Sequence, residues 1–450
     1  MSAEAMRVAV AGAGPAGLAA AFRLARAGAR VTVFESRGRV GGRTFTDEVG
    51  GVRIDAGVQL FSSAFRSFLR LLREAGGDGL SAEAPGRDAL WRGGKAHEVV
   101  YGSPTSMLAS GALPFTLKLR LGAHYLPFLS RHAESLRMDA LELAAGAGLD
   151  RESIARWGER ELGRDFVDLL AHPLLATLYG LAAEEASAGF YHALARQGTH
   201  MQVLALRGGA AAFCGLLARA VGLSGGEVRL DAPVRAVRAD GAGVEVAGDA
   251  GSERFDAAVV AVPAPAAREL AGGWMPALAD WLAGVAVRPT ATLGLVTDRP
   301  LGVRWFGLSF ARGESRAAAA VCALEAKPAA LVPPGRGALV VFPLPDAGAR
   351  WLGLAPEEAL RAALPDLAKP FPRIESMLQA VRLYPWPHGW TLFRPGSLEH
   401  LARFRAGGLE TDPRVAFAGD YLYAPTVEGA VTAGLRAAER ILSRAQAAAG

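Results

Sequence analysis

The 450-residue sequence predicts an α/β protein built around a Rossmann-type nucleotide-binding unit. Three features support this fold class. A Gly-rich turn joins a strand to a helix near the N-terminus, an acidic residue ends the next strand, and a second strand–acid–helix arrangement lies near the C-terminus. The composition, with 51% hydrophobic and 21% charged residues, is that of a globular chain with enough core for two domains.

The N-terminal turn, GAGPAG at positions 12–17, follows an apolar strand at 7–11. Gly12 permits the tight turn, Gly14 lets the backbone approach a pyrophosphate, and Gly17 lets the following helix pack against the strand. The helix begins at the turn, so its N-terminal amides and partial positive charge face the same phosphates. This order of elements predicts dinucleotide binding.

The second strand ends on the acid that this type of site requires. The helix is predicted to run to about Ala27, with Gly28 as its C-cap, and Arg30–Phe34 forms the next strand. Glu35 then lies where a carboxylate accepts hydrogen bonds from ribose hydroxyls. An acid rather than an arginine at this position argues against a 2′-phosphate on the ligand.

The residues that follow the ribose acid resemble those of a known flavoprotein group. SRGRVGGRTFT places Gly41-Gly42-Arg43 just after the acid, and GVRIDAGVQLF contains Asp55 and Gly57. This pattern resembles the flavin-dependent amine oxidase and protoporphyrinogen oxidase superfamily, in which an R-x-G-G-R run precedes a D-x-G strand. The resemblance implies an FAD cofactor, with Arg43 and its glycines along the pyrophosphate and Gly57 near the isoalloxazine ring.

The C-terminal stretch FAGDYLYAPTVEGAVTAG reads as a strand, an acid, a loop and a helix start. In the superfamily, a G-D strand end meets the FAD ribityl and phosphate region, and an E-G-A helix N-terminus points at flavin N1 and O2. Asp420 and Glu428-Gly429-Ala430 match these positions. A helix N-terminus there stabilises the negative charge that collects near N1 and O2 when flavin accepts a hydride. The resemblance therefore implies that both ends of the chain bind one FAD.

The expected architecture is interleaved, with a Rossmann-type FAD-binding domain and an α+β substrate domain. The FAD-binding domain is assigned residues 1–75, 205–265 and 400–450, and the substrate domain residues 76–204 and 266–399. The first substrate segment is predicted to be helical, from the apolar spacing of Leu117, Leu121, Leu126 and Leu129. The second is predicted to contain strands at RPTATLGLVTD and GALVVFPLP and a helix after Pro356.

Residues RLDAPVRAVRADGAGVEVAG predict a β-meander that precedes a buried strand. The resemblance places Val234 of this meander against the adenine, and a plain core role for Val234 is the alternative. Motifs and resemblance together give the expected FAD contacts: Gly12, Gly14, Pro15, Ala16, Gly17, Glu35, Ser36, Arg37, Gly41, Gly42, Arg43, Gly57, Val58, Gln59, Val234, Gly419, Asp420, Val427, Glu428, Gly429 and Ala430.

Three departures from the superfamily pattern argue against a typical amine oxidase. Such enzymes usually carry a lysine on a substrate-domain strand that holds a water at flavin N5, but the matching strand, 288–296, has none. Lys327 is the nearest alternative, in a predicted loop beside Pro328. Thr426 stands where those enzymes tend to place an aromatic residue of an amine cage. Neither Cys214 nor Cys322 lies in the Trp-rich C-terminal segment where covalent attachment occurs, so the FAD is expected to be noncovalent.

The remaining branches take hydride from large apolar molecules. VRLYPWPHGWTLFRPGSLEHL resembles the corresponding segment of protoporphyrinogen oxidases, and the ending A-G-D…E-G-A-V also resembles isoprenoid desaturases. Protoporphyrinogen-like oxidation is the first expectation, with an isoprenoid desaturase, an amine oxidase and a non-enzymatic flavoprotein as alternatives. Oxygen or a quinone is the expected electron acceptor. No side chain is assigned as a catalytic acid or base; Trp386 and Trp390 are candidates for a substrate channel, and His172, Tyr179 and His192 for pocket residues.

Charge and hydropathy give the remaining expectations. The net charge is +5, but the arginines are interspersed with acids, so nucleic-acid binding is not expected. Two cysteines and the histidine spacing do not indicate a metal site. Neither a signal peptide nor a membrane span is evident, which favours a cytoplasmic protein. The apolar segment Leu113 to Met138 is interpreted as an amphipathic helix, and a peripheral membrane contact is the alternative.

Overall fold

A computed structural model describes residues 5–83, 87–100, 103–137, 143–198 and 201–449. Its first layer is a five-stranded parallel sheet with its short apolar strands covered on both faces, as such sheets require. In spatial order, the strands are Glu227–Arg229, Arg30–Phe34, Arg7–Ala11, Ala257–Val260 and Val415–Phe417. The strand that precedes the Gly-rich turn is therefore central, and the C-terminal strand lies at one edge.

Three helices cover this sheet, and two of them carry the motifs of the two chain ends. Pro15–Arg26 packs against Val427–Ala449 and against Ala211–Leu223. A Cβ atom on Gly434 would lie 2.0 Å from the carbonyl oxygen of Ala16, so the first two helices approach at backbone distance. The helix starts of the N-terminal and C-terminal motifs thus belong to one packed unit.

The predicted meander is present as an antiparallel sheet of three strands, Val234–Asp240, Gly243–Gly248 and Gly251–Phe255. Two smaller sheets lie nearby. They consist of Thr46–Val49 with Val52–Asp55, and of Phe61–Ser62, Val203–Leu206 and Ser81–Glu83.

The second large layer is a seven-stranded sheet. In spatial order, its strands are Leu378–Thr391, Val287–Thr297, Gly337–Pro343, Ala318–Ala323, Gly307–Phe310, Arg87–Arg92 and Lys95–Val100. Leu378–Thr391 is an edge strand, which explains how it accommodates Pro385 and Pro387. The two strands predicted from RPTATLGLVTD and GALVVFPLP are confirmed, as is the helix after Pro356.

The remaining helices cover the ends and faces of the two large sheets. They are Arg66–Glu74, Pro104–Ala109, Phe115–Arg120, Leu126–Arg131, Ile154–Glu161, Arg164–Phe166, His172–Tyr179, Ala188–Gly198, Ala264–Ala271, Pro276–Ala283, Pro345–Trp351, Pro356–Leu367, Ile374–Met377 and Ser397–Arg405, with π-helical turns at Leu121–Tyr125 and Val167–Ala171 and 3₁₀ turns at Leu143–Leu149, Leu324–Ala326 and Asp420–Leu422.

Two expectations for residues 76–204 were wrong in detail. The segment is not all helical, because Arg87–Arg92 and Lys95–Val100 form a hairpin around Gly93-Gly94, both with positive φ. The core face of the helical stretch includes Tyr125 and not Leu126, which is 41% exposed, because the π-helical turn shifts the faces. Met138 lies outside the described residues. All strands of the parallel sheet come from the segments assigned to FAD binding, but the domain boundaries themselves stay a prediction.

Candidate active site

The Gly-rich turn has three glycines in three different environments. Gly12 has a φ of +102°, and a Cβ atom there would lie 2.4 Å from the carbonyl oxygen of Ala261. A Cβ atom on Gly17 would lie 1.8 Å from the carbonyl oxygen of Gly12, which leaves room only for glycine. Around Gly14, in contrast, no atom of the described chain lies within 4 Å of a Cβ position. The turn is therefore closed on the protein side and open where a ligand phosphate would approach.

Glu35 is buried beside this turn. Its Oε2 accepts a hydrogen bond from the amide of Ala13 at 2.8 Å, and its Oε1 accepts from the amide of Arg37 at 3.0 Å and from the hydroxyl of Ser36 at 3.3 Å. Each carboxylate oxygen has two lone pairs, so acceptor capacity remains for a ribose hydroxyl. Glu35 also orders the turn itself, a role that the sequence pattern did not predict.

The second glycine pair folds directly onto the first turn. The Gly41 amide donates to the Ala13 carbonyl at 2.8 Å, and a Cβ atom on Gly42 would lie 3.5 Å from the Cα atom of Gly14. Arg39 lies partly buried beside this turn: burial first, and then the charge of Arg37, lower the pKa of its guanidinium to about 10, against the opposing charges of Glu35 and Asp47. An anionic ligand at the open side of Gly14 would favour the charged form of Arg39.

Arg43 links the two ends of the chain directly. Its Nη2 donates to Asp420 Oδ1 at 2.8 Å, its Nη1 donates to the Gly389 carbonyl at 3.3 Å, and Asp420 Oδ2 accepts from the Thr391 hydroxyl at 3.0 Å. Burial alone would lower the pKa of the Arg43 guanidinium, but the charge and hydrogen bond of Asp420 hold this pKa above its ordinary value. The structure thus brings together two residues 377 positions apart, one from each of the two motifs.

The C-terminal helix begins at Val427 with its first turn closely packed. Thr426 caps it, because the Thr426 hydroxyl accepts a hydrogen bond from the Gly429 amide at 3.0 Å. A Cβ atom on Gly429 would lie 2.1 Å from the Ala424 carbonyl oxygen. The Glu428 carboxylate accepts from the amides of Ser67 and Phe68 at 2.8 and 2.9 Å.

Glu428 therefore has a contact that the motif did not indicate. Ser67 and Phe68 lie in the first turn of the helix Arg66–Glu74, and a carboxylate is stabilised there by the free amides and the helix dipole. The Glu428 carboxylate therefore links the N-terminus of the helix Val427–Ala449 to the N-terminus of the helix Arg66–Glu74. The amides of Gly429 and Ala430 already donate to the hydroxyl and the carbonyl of Thr426. As the proposed FAD contact of residues 427–430, the backbone amides at 427 and 428 are then better candidates than the Glu428 side chain.

The segment Ala56–Gln59, which contains the Gly57 expected near the isoalloxazine ring, is held by side chains of the seven-stranded sheet. The Thr292 hydroxyl donates to the Ala56 carbonyl at 2.5 Å, and the Trp386 indole N–H donates to the Thr292 hydroxyl at 3.1 Å. A Cβ atom on Gly57 would lie 2.1 Å from the Arg43 carbonyl oxygen and 3.5 Å from the Trp386 ring. Sequence reasoning missed Thr292 because a threonine inside an apolar strand is unremarkable until its neighbour is known.

The remaining residues proposed from the sequence lie away from these motifs or pack in the hydrophobic core. Val234 is half-buried at the start of the meander, packed in the same cluster as Phe34. His192 is buried, 3.1 Å from the Tyr125 hydroxyl through Nδ1, and burial lowers the pKa of its imidazole to about 3. His172 and Tyr179 lie at the two ends of one helix. Trp390 contacts the backbone at Gly180, where a Cβ atom would lie 2.4 Å from its ring.

The residues present fit an FAD molecule. Space at Gly14, the partly buried Arg39 and the N-terminus of the helix Pro15–Arg26 suit a pyrophosphate-containing ligand. Gln59 Oε1, next to the Gly57 backbone, is buried and lacks a hydrogen-bond partner in the described part of the chain, as a group that faces a polar ligand ring would. Both cysteines are buried and free, and burial raises the pKa of the Cys214 thiol to about 12.

This fold and this site define a flavin-dependent oxidoreductase with a Rossmann-type sheet and a second large sheet that contacts the segment Ala56–Gln59. The chain belongs to the flavin containing amine oxidoreductase family, whose sequence model matches residues 15–442. FAD is therefore its cofactor. The expected fold class and the expected superfamily are both confirmed.

Known relatives give the same fold and differ in their reactions. The structure of cyclohexylamine oxidase from Brevibacterium oxydans matches with a TM-score of 0.75 at 24% identity, over 98% of this chain and all of that one, which establishes the fold. Protoporphyrinogen oxidase 2 of Arabidopsis thaliana is 30% identical over 174 residues, or 38% of this chain and 32% of the relative. Putrescine oxidase of Kocuria rosea is 48% identical over 69 residues, or 15% and 14%.

These sequence matches are partial. The chain spans a third or less of the length of the curated relatives that it matches, 19% for the first of them. The family and the cofactor follow from the match along the chain, whereas the substrate class does not. No helix in the described ranges is both long and apolar enough to cross a membrane.

Proposed function

We propose that this chain uses FAD to remove hydride from an extended apolar donor, with porphyrinogen-type tetrapyrroles first and isoprenoid chains second. When bound, FAD supplies the hydride acceptor, and oxygen or a quinone takes the electrons from the reduced cofactor. Oxidation of an amine is the alternative, which the similarity to cyclohexylamine and putrescine oxidases favours.

The observation that carries the proposal is the identity of the residue that faces Ala56. On the strand where amine oxidases of this superfamily usually place a lysine, the side chain that reaches this segment is Thr292. Its hydroxyl donates to the Ala56 carbonyl and accepts from Trp386, and the residue is 2% exposed. Thr292 therefore offers no titratable group, and its hydroxyl has no proton left with which to orient a water.

Lys327 does not replace the missing lysine. Its ammonium group is buried and donates to the carboxylate of Asp55. Thr426 does not supply the wall of an aromatic cage, since its hydroxyl caps the last helix. An apolar donor needs neither group, because it brings no ammonium that must lose a proton before hydride transfer.

The chain's own contribution to such a reaction is orientation and exclusion of water. Trp386 is 5% exposed against Gly57, and Trp390, four residues along the same strand, contacts Gly180 at the end of the helix His172–Tyr179. These two indoles form an apolar path from the flavin-facing segment toward the helical part of the chain. Planar or extended hydrocarbon surfaces are the ligands that such a wall binds best.

A turnover panel with identified products tests the proposal. Purified holoprotein would be incubated with protoporphyrinogen, coproporphyrinogen, a carotene and putrescine, under air and with a quinone, and products would be identified by absorbance and mass. We expect aromatised tetrapyrrole as the product. Trp386→Ala should slow turnover more than the control Trp274→Ala, because Trp274 lies in the turn between the helices Ala264–Ala271 and Pro276–Ala283. Oxidation of putrescine alone would contradict the proposal, and oxidation of the carotene alone would move the enzyme to the second donor class.

A finer part of the proposal concerns access for a lipophilic donor. The helical stretch from Phe115 to Arg131 exposes Phe115 by 73%, Leu119 by 56% and Leu126 by 41%, on the side opposite the buried Leu117 and Leu121. The sequence has no acidic residue between Glu98 and Glu134, whereas Lys118, Arg120 and Arg131 lie in this stretch. Apolar side chains flanked by cations alone complement an anionic lipid surface.

Vesicle binding tests this contact. We expect holoprotein to cosediment with vesicles that contain phosphatidylglycerol and to bind pure phosphatidylcholine less. The double variant Phe115→Gln/Leu119→Gln should lose most of this binding. Leu223→Gln is the matched control, because Leu223 is 91% exposed at the end of another helix. Equal binding by the double variant and the control would exclude the helical stretch as the contact surface.

A further inference from the structure

Asp55 and Lys327 form an ion pair in the interior of the molecule. The Asp55 side chain has no exposed surface, and only 1% of the Lys327 side chain is exposed. Lys327 Nζ donates to Asp55 Oδ2, while Asp55 Oδ1 accepts from the Thr46 hydroxyl at 2.5 Å and from the Ala210 amide at 2.8 Å. Both oxygens of the Asp55 carboxylate therefore accept hydrogen bonds from protein groups.

The position of Asp55 connects the pair to the cofactor site. Asp55 is the last residue of the strand Val52–Asp55 and directly precedes the flavin-facing segment Ala56–Gln59. The Asp55 carbonyl accepts a hydrogen bond from Gln59 Nε2. A Cβ atom on Gly57 would lie 2.1 Å from the Arg43 carbonyl oxygen, so the backbone at Gly57 contacts the backbone at Arg43 closely. A shift of Asp55 would move this segment, because both ends of it are tied to that residue.

Lys327 comes from the other large layer. It follows the 3₁₀ turn Leu324–Ala326, which ends a strand of the seven-stranded sheet. The same loop continues to Ala329, whose carbonyl accepts from the Gly208 amide at 3.1 Å, and to Leu331, whose carbonyl accepts from the Arg53 amide at 2.8 Å. Ala329 and Leu331 are buried. The loop therefore lies against the strand that carries Asp55.

The Asp55–Lys327 pair contributes charge balance as well as packing, because both side chains are buried. An ionised carboxylate away from water must be balanced, and removal of one partner leaves an uncompensated buried charge. The neutral donors Thr46 and Ala210 hydrogen-bond to Asp55 without balancing its charge. Lys327 supplies that balance, and it does so from a loop of the opposite sheet.

We propose that Lys327 is a positioning residue for the cofactor: through Asp55 it fixes the segment Ala56–Gln59, and with it the seat of the isoalloxazine ring. The proposal goes beyond the oxidation of an apolar donor, since it concerns FAD alone. It can fail while the substrate assignment holds, and the reverse is equally true.

Four variants of the holoprotein test it: Lys327→Met, Lys327→Arg, Asp55→Asn/Lys327→Met and Lys369→Met. The last is the matched control, because Lys369 pairs with the buried Asp366 at 3.3 Å, away from the Asp55 strand. The readouts are the Kd of FAD, the visible circular dichroism of the bound flavin and the urea midpoint. Visible circular dichroism reports the surroundings of the ring, which a purely structural role would leave unchanged.

We expect Lys327→Met to weaken FAD binding at least tenfold and to change the flavin dichroism, and Lys327→Arg to restore most of both. The double variant should recover the urea midpoint without recovering the dichroism. Lys369→Met should leave both flavin readouts within twofold of the native protein. Native Kd and native dichroism in Lys327→Met would overturn the proposal, even with a lower urea midpoint. If Lys327→Met does not fold, the double variant, which has no buried charge left, decides by the same two readouts.

Discussion

Replacement of Gly14 by alanine separates the stability of the Gly-rich turn from its binding of FAD. Gly14 has φ −79° and ψ −178°, an extended conformation that alanine adopts freely, and no described atom lies within 4 Å of the added Cβ. The apoprotein should therefore keep its stability or gain up to about 1 kcal/mol, because alanine restricts the unfolded chain. The same methyl group would occupy the side of the turn that is open to the pyrophosphate.

The expected loss of FAD affinity follows from steric crowding. Forcing one methyl group into a close contact typically costs about 1–3 kcal/mol, which corresponds to a rise in Kd of roughly 5- to 150-fold. Gly17→Ala is the comparison, because its Cβ would lie 1.8 Å from the Gly12 carbonyl oxygen and 3.2 Å from the Ala261 Cβ. That variant should lose about 3 kcal/mol or more of folding stability before any ligand is added.

Two measurements distinguish these outcomes. Urea unfolding of the apoproteins, followed by far-UV circular dichroism, gives the free energy of unfolding, and titration with FAD, followed by protein fluorescence, gives the Kd. Gly14→Ala should fold normally and bind FAD weakly, whereas Gly17→Ala should fold poorly. A native Kd for a well-folded Gly14→Ala would refute the inference that the pyrophosphate approaches this glycine.

Three further predictions concern single groups. Glu35→Gln should raise the Kd of FAD about tenfold, since a charge-assisted hydrogen bond loses about 1 kcal/mol or more when its acceptor becomes neutral, and an unchanged Kd beside the exposed control Glu48→Gln would exclude the ribose role. His192 has a pKa of about 3 in the folded chain against about 6.5 when unfolded, so stability should fall as pH drops from 6.5 toward 3. Between pH 7.5 and 5.0 the native protein should lose about 2 kcal/mol more than His192→Phe in urea titrations, and parallel losses would contradict this burial effect. Acid precipitation should release all FAD into the supernatant, because both cysteines are buried; flavin retained in the pellet would show covalent attachment.

Local patterns allowed much of the fold to be predicted. The strand Arg7–Ala11, the turn and the strand Arg30–Phe34 agree with the structure, and the helix ends at Arg26, one residue before the expected end. The hairpin at Gly93-Gly94 could also have been found, because two adjacent glycines between two short strands are a strong turn signal. Leu126 could not, because the π-helical turn that exposes it has no marker in the sequence.

The site was predictable where a motif fixes both ends of a contact. Arg43 and Asp420 were each expected at FAD, and the structure joins them. Contacts between unrelated segments were not predictable: Thr292 meets Ala56 only because two sheets pack together. Lys327 was expected only in a loop beside Pro328, and its contact with Asp55 was not foreseen. Which threonine or lysine faces a motif depends on packing over hundreds of residues, and periodicity carries no information on that.

Anaerobic stopped-flow mixing of the holoprotein with protoporphyrinogen, and separately with putrescine, distinguishes an apolar hydride donor from an amine, because it observes hydride arrival at the flavin without the later electron acceptor. We predict that absorbance of the oxidised flavin near its visible maximum disappears rapidly with protoporphyrinogen, in a phase that saturates with concentration, while putrescine leaves it unchanged over the same period. Rapid loss of this absorbance with putrescine and none with protoporphyrinogen would contradict the claim, since Thr292 and Thr426 would then stand in a working amine site.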